Sequence, residues 1–340
     1  MPLLDVKDLK TYFRTDDGIV HAVDGVSFSV EKGKTLAIVG ESGCGKSVTC
    51  MTIMGLNAKR NTMTEGQAIF KDRDLLKIDP DELRKIRGNE ISMIFQDPMT
   101  SLNPVYTIGS QLREAVQLHE NVSKQVANSR SVEMLKAVAI PRAETRMDDY
   151  PHQFSGGMRQ RVMIARALIN DTDLLISDEP TTALDVTTQA QILTLMKRLQ
   201  EEFGSAIIII THDLGVVAET ADDVLVMYGA RVVEQAAVDD LFNRPQHPYT
   251  WGLMGSLPRL DIDVERLTQI PGQPPSLLRP PRGCRFHPRC SYVMEVCKTT
   301  VPELLPTQRE PEHLQACHLD EETKDREAAK LLESMMAGTG

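Results

Sequence analysis

The residues with the clearest chemical potential form a glycine-rich run that ends in a lysine and a serine. Glycines permit a tight turn whose backbone N–H groups point at phosphate oxygens. Lys46 would reach the β- and γ-phosphates of a nucleotide, and Ser47 would bind Mg²⁺. The alternative is a glycine-rich turn that binds nothing. We call this run the phosphate loop, and its residues are Gly40, Glu41, Ser42, Gly43, Cys44, Gly45, Lys46 and Ser47. The next residue, Val48, is a further candidate contact to the nucleotide.

Four further polar groups follow apolar runs that are typical of buried strands. They are Gln96, the adjacent carboxylates Asp178 and Glu179, and His212. In phosphate-loop enzymes a carboxylate at such a strand end holds Mg²⁺ through water, and its neighbour can polarise the attacking water as a general base. The glutamine is a candidate ligand for a metal ion or water, and the histidine is a candidate contact to the γ-phosphate. Each has an ordinary alternative: a surface amide, two solvated charges or a structural histidine.

The surrounding sequence predicts the elements that would position these groups. An apolar run at 36–39 predicts a strand before the phosphate loop, and 48–54 predicts a helix after it. Residues 3–30 predict short strands with a turn at 16–18, and 65–78 predict a further strand pair. A mostly helical insert is predicted between about Pro98 and Ile169, with Ser155 as a helix N-cap followed by Gly156 and Gly157. Another helix is predicted over 188–203, and either Tyr12 or Phe13 is a candidate to stack on a purine.

Composition narrows the class of protein. The chain has 340 residues, a formal charge of −10 and a pI of about 5.4. This acidic balance argues against a general nucleic-acid binder. No apolar run approaches the length needed to cross a bilayer, and the charged N-terminus is not typical of a secretory signal. We therefore expect a soluble, cytoplasmic protein, and this composition leaves docking on a membrane protein open.

Taken together, the motifs resemble those of an ABC ATPase nucleotide-binding domain over roughly residues 3–255. The phosphate loop resembles Walker A, and 174–178 resembles Walker B. Residues 154–158 resemble the ABC signature, although Phe154 and Met158 stand where leucine and glutamine are commonest. The resemblance implies an α/β fold: a P-loop ABC-type ATPase with a RecA-like core, an antiparallel β subdomain and a helical insert. It implies an ATPase domain at 1–255, a helical subdomain at about 98–169 and an irregular cysteine-containing C-terminal extension at 256–340.

The resemblance also implies roles for single residues. Glu179 would be the catalytic glutamate, Gln96 the Q-loop glutamine and His212 the switch histidine. Asp178, Ser47 and Gln96 would bind Mg²⁺, and the D-loop would be formed by 183–185, with Asp185 at its end. Phe13, with Tyr12 second, would stack on adenine. The phosphate-facing signature residues would be Ser155, Gly156 and Gly157.

The segment after residue 255 differs in composition. Its prolines predict an extended connector. It also holds four cysteines in a C-x5-C-x6-C-x19-C pattern: Cys284, Cys290, Cys297 and Cys317. From chemistry alone a metal site and free thiols stay open, and a disulfide is disfavoured in a reducing compartment. Residues 319–340 predict a solvated helix or a frayed tail.

This C-terminal segment resembles the extension of oligopeptide and dipeptide importer ATPases. In that subfamily four cysteines can hold a [4Fe-4S] cluster, so the resemblance implies ATP, Mg²⁺ and an iron–sulfur cluster as cofactors. It implies a second ABC ATPase subunit, two transmembrane permease subunits and an extracytoplasmic peptide-binding protein as partners, at the cytoplasmic face of the inner membrane. The alternatives are an importer ATPase for nickel or another small solute, and a soluble ABC ATPase outside transport.

Overall fold

The computed structural model describes residues 1–96, 101–182, 184–256 and 270–336. The interpretations made above for Pro98, for Ala183 and for the prolines before residue 270 lie outside these residues. The chain divides into two compact units. The first comprises Met1–Leu3, Val30–Thr35 and Lys77–Ile210, and the second comprises Leu4–Ser29, Leu36–Leu76 and Thr211–Gly340. The domain boundaries at 255/256 and at 98–169 stay predictions.

The first unit is built on parallel strands. Ile91–Ile94 pairs with Leu174–Asp178, which in turn pairs with Ala206–Thr211. The last two strands are buried along their whole length, as parallel strands covered on both faces require. The helices of this unit are Pro80–Ile86, Ile108–His119, Lys124–Ala137, Ala143–Arg146, Gly156–Leu168 and Val186–Phe203, with a 3₁₀ turn at Pro151–Gln153.

Short polar side chains start the helices of the first unit. Five residues each accept a hydrogen bond from a backbone N–H in the first helical turn, which satisfies a donor that the helix leaves unpaired. The predicted N-cap at Ser155 is thereby confirmed, and the helix predicted over 188–203 begins two residues earlier. The five capping residues are Asp79, Thr107, Ser123, Ser155 and Asp185.

The second unit contains a four-stranded sheet and a five-stranded group. The four-stranded sheet has the order Gly18–Val30, Leu4–Thr15, Thr62–Phe70, Arg73–Asp74. The prediction of several short strands in 3–30 was wrong, because two long strands of 12 and 13 residues meet there at a turn. The five-stranded group is Leu305–Pro306, Leu314–Gln315, Arg231–Ala237, Asp223–Tyr228 and Thr35–Val39. Its last two strands are parallel, and the others pair antiparallel.

The helices of the second unit lie at both ends of the chain. They are Lys46–Ile53, Leu214–Thr220, Val238–Asn243, Pro248–Gly255, Glu295–Thr299 and Glu321–Met336, with a 3₁₀ turn at His287–Arg289. None of the helices in the described ranges has both the length and the apolar character that crossing a bilayer requires. The mixture of parallel strands and helices confirms the predicted α/β class.

Two expectations about the C-terminal region need correction. The final helix, Glu321–Met336, is neither frayed nor fully solvated, because Lys324 and Ala328 are only 1% and 2% exposed. The described part of the proline-rich stretch, 270–281, contains no helix or strand, and it is docked: the backbone N–H of His21 donates to the Leu277 carbonyl oxygen at 2.9 Å. Buried apolar and polar contacts thus hold the extension against the rest of its unit.

Candidate nucleotide site

The phosphate loop connects the buried strand Thr35–Val39 to the helix Lys46–Ile53 in the second unit. A Cβ atom at Gly40 would lie 2.2 Å from the Met227 carbonyl oxygen. At Gly45 an added Cβ would lie 2.3 Å from another backbone carbonyl oxygen, and both glycines have positive φ. Only glycine tolerates such close backbone contact. The shape of the loop therefore depends on both positions.

Lys46 lies folded back over its own loop. Its Nζ donates to the carbonyl oxygens of Gly40 at 2.7 Å and Glu41 at 3.1 Å. The side chain is buried, whereas Ser42 and Gly43 at the crown of the loop are exposed. The loop thus presents exposed backbone N–H groups and a lysine held beside them, which is what a polyphosphate needs.

The other predicted members of the loop occupy less exposed positions. Ser47 and Val48 are half-buried in the first turn of the helix. Cys44 is buried, its carbonyl oxygen accepts a hydrogen bond from the Ala230 N–H at 3.0 Å, and burial raises the pKa of its thiol. The thiol therefore stays protonated near neutral pH and serves as a small buried side chain.

The first unit brings two of the predicted catalytic residues together. Glu179 follows the strand Leu174–Asp178, and its Oε2 accepts hydrogen bonds from Gln96 Nε2 at 2.8 Å and Thr182 Oγ1 at 2.9 Å. Its φ is +47°, and its backbone N–H donates to the Ile210 carbonyl oxygen at 2.9 Å. A left-handed conformation in a non-glycine residue costs free energy and is concentrated at functional sites. The strain aims the carboxylate at the end of the strand.

Two aspartates flank this carboxylate in sequence. Asp178 is the last residue of its strand and is buried. Asp185 caps the helix Val186–Phe203, where its carboxylate accepts hydrogen bonds from the N–H and the hydroxyl of Thr188. These hydrogen bonds hold the pKa of Asp185 below its ordinary value. Asp185 therefore orders the start of a helix, whatever further role it has.

The residues that resemble the ABC signature form an exposed helix start. Ser155 caps the helix Gly156–Leu168 by accepting a hydrogen bond from the Met158 N–H at 3.3 Å. Ser155 and Gly156 are exposed, and Phe154 is buried beneath them. At Gly157 a Cβ would lie 2.7 Å from a methyl group of Thr188, so a side chain there would need its neighbour to move.

The candidate switch histidine and the candidate adenine-stacking aromatics belong to the second unit. His212 directly follows the strand Ala206–Thr211 and is exposed. Tyr12 donates its hydroxyl to Asp24 at 2.8 Å, and its ring packs on another side chain. Phe13 is half-buried on the same strand. Because the Tyr12 hydroxyl already has a buried partner, Phe13 stays the first candidate and Tyr12 the second.

Buried ion pairs near the phosphate loop were missed by sequence reasoning. Arg289 binds the Glu41 carboxylate through both terminal nitrogens, at 2.6 and 3.0 Å, and the Glu41 N–H donates to the Tyr249 hydroxyl at 2.8 Å. Arg289 lies 248 positions from Glu41 in the sequence, so no local spacing could have signalled the pair.

A second group of buried charges is centred on Asp24, which is paired with two arginines. Its Oδ2 accepts from Arg231 at 2.8 Å and from Arg285 at 2.5 Å, while Tyr12 donates to its Oδ1. Burial alone would raise the pKa of Asp24, but the hydrogen bonds from Tyr12 and Arg231 outweigh burial and hold it below its ordinary value. The carboxylate therefore stays charged and fixes one end of the C-terminal extension.

The four C-terminal cysteines lie on separate short elements of the second unit. Cys284 donates its N–H to the Cys297 carbonyl oxygen at 2.9 Å. The Sγ of Cys290 accepts a hydrogen bond from the Tyr292 N–H at 3.4 Å. Burial is the main cause that raises the pKa of Cys290 to about 12 and that of Cys317 to about 11. Across the described ranges, however, no three His, Cys, Asp or Glu side chains are arranged to hold a metal ion.

Comparison with known proteins agrees with these observations. A profile described as ABC transporter matches residues 23–182, and one described as oligopeptide/dipeptide transporter, C-terminal region, matches residues 233–297. The oligopeptide transport ATP-binding protein OppD of Haemophilus influenzae is 56% identical over 297 residues, which cover 87% of this chain and 92% of that protein. The chain belongs to the ABC transporter family.

Other members of the family and solved structures support this assignment. The dipeptide transport ATP-binding protein DppD of Lactococcus lactis is 55% identical over 295 residues, covering 86% of this chain and 84% of that protein. A dimeric ATP-binding cassette, solved in a post-hydrolysis state bound to ADP and Pi, aligns with a TM-score of 0.62 at 28% identity. That alignment covers 69% of this chain and 98% of the cassette. The predicted ABC-type ATPase fold is confirmed.

Proposed function

We propose that this ABC family member is the ATP-binding and ATP-hydrolysing subunit that powers import of oligopeptides or dipeptides through an ABC transporter. The observation that carries the ATPase assignment is the Glu179 carboxylate, held at a strand end by Gln96 and Thr182. The peptide assignment is supported by the match of residues 233–297 to the peptide-transporter C-terminal region and by relatives named for oligopeptide or dipeptide transport.

The first chemical task is to bind the triphosphate. Backbone N–H groups of the phosphate loop would donate hydrogen bonds to the phosphate oxygens, and the start of the helix Lys46–Ile53 adds a partial positive charge. Lys46 would exchange its two carbonyl partners for phosphate oxygens, with little change in the loop. Phe13 would stack on the adenine ring.

The second task is attack by water on the γ-phosphoryl group. Glu179 would accept a proton from the water and orient it in line with the bond that breaks. Gln96 and Thr182 hold its Oε2, so the carboxylate orientation is set before substrate binds. Lys46 and His212 would stabilise the charge that develops on the phosphoryl oxygens.

The residues proposed for Mg²⁺ suit that ion chemically. They are the Ser47 hydroxyl, the Asp178 carboxylate and the Gln96 amide, all oxygen donors of the kind that Mg²⁺ prefers. Gln96 donates to Glu179 through Nε2, which leaves its amide oxygen as the atom suited to the ion. When bound, Mg²⁺ neutralises charge on the β- and γ-phosphates.

We propose that two ATPase subunits pair head to tail, so that the signature of one chain contacts the nucleotide of the other. Ser155 and Gly156 are exposed at a helix start and suit this role. The dimeric cassette bound to ADP and Pi supports the arrangement. ATP would stabilise the closed dimer over the open one, and hydrolysis would release it. A related second ATPase, giving a heterodimer, is our preferred partner.

The transport role implies further partners and a location. We propose two transmembrane permease subunits, an extracytoplasmic peptide-binding protein and a peripheral position at the cytoplasmic face of the inner membrane. A pull-down from native membranes in mild detergent, read by mass spectrometry, tests this proposal. Permeases, a second ATPase and a peptide-binding protein are the expected result. Recovery of only soluble partners would overturn the transport role, and a nickel-binding protein would favour the alternative cargo.

The [4Fe-4S] cluster stays part of the proposal. Two contacts support it: Cys284 donates its N–H to the Cys297 carbonyl oxygen at 2.9 Å, and Tyr292 donates its N–H to Cys290 Sγ at 3.4 Å, a contact typical of cysteine ligands. Against this, the described residues show no metal-binding arrangement. Cys284, Cys290, Cys297 and Cys317 would be the ligands, and the cluster would supply a structural cross-link.

The cluster is tested by anaerobic purification. The expected result is about four iron atoms per chain with broad visible absorption. A Cys290→Ser variant should lose both, whereas a Cys50→Ser variant, altered in a cysteine outside this group, should keep both. One equivalent of zinc, or no metal in the wild-type chain, would refute the cluster without touching the ATPase proposal.

A further inference from the structure

We propose that two side chains position the phosphate loop, Arg289 of the C-terminal extension and Tyr249 of the helix before it: they hold Glu41, and through it the loop backbone, in the form that binds the triphosphate. This inference rests on the proposed nucleotide function of the loop. It assigns Arg289 and Tyr249 as positioning residues, which act on ATP only through Glu41.

The first support is the geometry of Arg289. Its guanidinium makes five hydrogen bonds: two to the Glu41 carboxylate, one to the Tyr228 hydroxyl, and one each to the carbonyl oxygens of Ile270 and Pro271. The side chain is only 5% exposed. Paired, parallel hydrogen bonds between a guanidinium and a carboxylate fix direction as well as distance. The arginine therefore sets where the Glu41 side chain lies.

The second support is Tyr249, which fixes the backbone of the same residue. Its hydroxyl accepts the Glu41 N–H at 2.8 Å, and its ring is fully buried. The ring packs against Tyr228 at 4.6 Å and against Phe286 at 5.4 Å, measured between ring centroids. Because Phe286 belongs to the extension, this aromatic cluster joins the extension to the loop.

The third support is the link from Glu41 to the phosphate-binding lysine. The Glu41 carbonyl oxygen accepts a hydrogen bond from Lys46 Nζ at 3.1 Å. The N–H, the carboxylate and the carbonyl of Glu41 are thus all bonded, each to a different side chain. A shift of Glu41 would move the loop backbone, and it would also move Lys46 until phosphate oxygens replace this carbonyl as the partner of Nζ. Holding a binding loop in its bound form lowers the entropic cost of association.

Charge adds a second consequence. Glu41 places a carboxylate in a loop built to receive a triphosphate, and like charges repel. Arg289 neutralises this carboxylate at 2.6 Å in a poorly hydrated setting. If Arg289 is lost, the uncompensated carboxylate should weaken ATP binding. Removing the charge of Glu41 as well should then restore the binding lost to this charge, which a loss of folding would not allow.

The experiment titrates full-length chains with MgATP. Tyr249→Phe deletes the hydroxyl that accepts the Glu41 N–H, and Tyr292→Phe is the matched control, since its hydroxyl bonds Glu327 of the final helix instead. We expect Tyr249→Phe to raise the Kd for MgATP about fivefold, the value of one lost hydrogen bond, and Tyr292→Phe to leave it unchanged. Equal Kd values for Tyr249→Phe and wild type would overturn the inference.

A double-mutant cycle covers the case in which Tyr249→Phe does not fold. Arg289→Met should raise the Kd by about tenfold or more, the value of a charged hydrogen-bonded pair. The double variant Arg289→Met/Glu41→Gln should recover the part of that loss caused by the unpaired carboxylate, and a residual loss should remain because Glu41 is no longer held. Wild-type binding by Arg289→Met, or weaker binding by the double variant than by Arg289→Met, would contradict the inference. Failure of the wild-type chain to bind MgATP would instead refute the proposed function.

Discussion

Glu179 combines three features that single it out among the carboxylates of the described chain. It has a left-handed backbone, it directly follows a buried strand, and its Oε2 accepts two side-chain hydrogen bonds. A general base that is oriented before substrate arrives needs little reorganisation during the reaction.

We expect Glu179→Gln to lower ATP hydrolysis by about 10²-fold or more while ATP still binds, because an amide cannot accept the proton of the attacking water. The variant should accumulate as an ATP-bound dimer, measured by size-exclusion chromatography. Glu202→Gln, an exposed carboxylate on the helix Val186–Phe203, is the control and should keep full activity. Wild-type turnover in Glu179→Gln would reassign the base.

At the scale of single elements, the helix Pro248–Gly255 begins with a buried histidine cap. His247 Nδ1 accepts the Tyr249 N–H at 3.0 Å, and the His247 N–H donates to Glu234. Burial, with a smaller effect from the nearby Lys324, lowers the pKa of His247 to about 3. An unfolded histidine has a pKa of about 6.5. At a pH between these two pKa values, His247 is therefore protonated in the unfolded chain and neutral in the folded chain.

Folding stability should consequently fall as the pH drops below about 6.5. A single such group lowers the free energy of unfolding by up to about 1.4 kcal/mol for each pH unit, which amounts to about 2 kcal/mol between pH 7 and pH 5. His247→Asn keeps a capping oxygen and removes the titration, so its unfolding free energy in urea should vary less with pH. The control, His152→Asn, alters an exposed histidine and should keep the wild-type slope. Parallel pH profiles for all three chains would contradict the assignment.

The final helix tests whether the C-terminal region is docked. Ala328 is 2% exposed and the adjacent Ala329 is exposed, so one helix offers a matched pair. Ala328→Asp should lower the unfolding free energy by about 2–4 kcal/mol, because it buries a charge without a partner. Ala329→Asp should change it by less than about 0.5 kcal/mol. Equal urea midpoints would mean that this helix is solvated, as the sequence had indicated.

The features that could be predicted from the sequence are those formed by residues close together along the chain. The apolar run before Gly40, the glycines themselves and the helix after them share one short stretch, so spacing alone identified the phosphate loop. The capping of the signature helix by Ser155 was predicted for the same reason. The final helix was misjudged because its apolar stripe is narrow, and Lys324 reads as a surface residue until its buried surroundings are seen. The pairing of Glu41 with Arg289 left no trace in spacing, since it depends on the tertiary fold.

At the scale of the whole molecule, the C-terminal extension is part of the second unit's architecture. Its strand Leu314–Gln315 pairs with Glu234 and Gln235 at the edge of the five-stranded group. The Glu234 carboxylate is fully buried and accepts hydrogen bonds from both sides of this junction, including one from His313 at 2.8 Å if that nitrogen carries the proton. The extension thereby covers the edge of the strand Arg231–Ala237 and supplies hydrogen bonds to the buried Glu234 carboxylate.

We expect a chain cut after residue 256 to associate without nucleotide, because the uncovered edge strand Arg231–Ala237 would pair with other copies. A chain cut after residue 319 keeps Leu314–Gln315 and should stay monomeric at the same concentration. Light scattering during size-exclusion chromatography distinguishes the two. A monodisperse, ATP-binding 1–256 chain would show that the edge needs no cover.

The contact between Glu41 and Arg289 also has an evolutionary consequence. Four positions of a phosphate loop are ordinarily open to substitution, yet here one of them is bound to a side chain 248 residues away. Relatives that replace the glutamate should replace the arginine as well, and those that keep one should keep the other. Residues 41 and 289 are thus expected to covary. The phosphate loop and the C-terminal extension should therefore have evolved together.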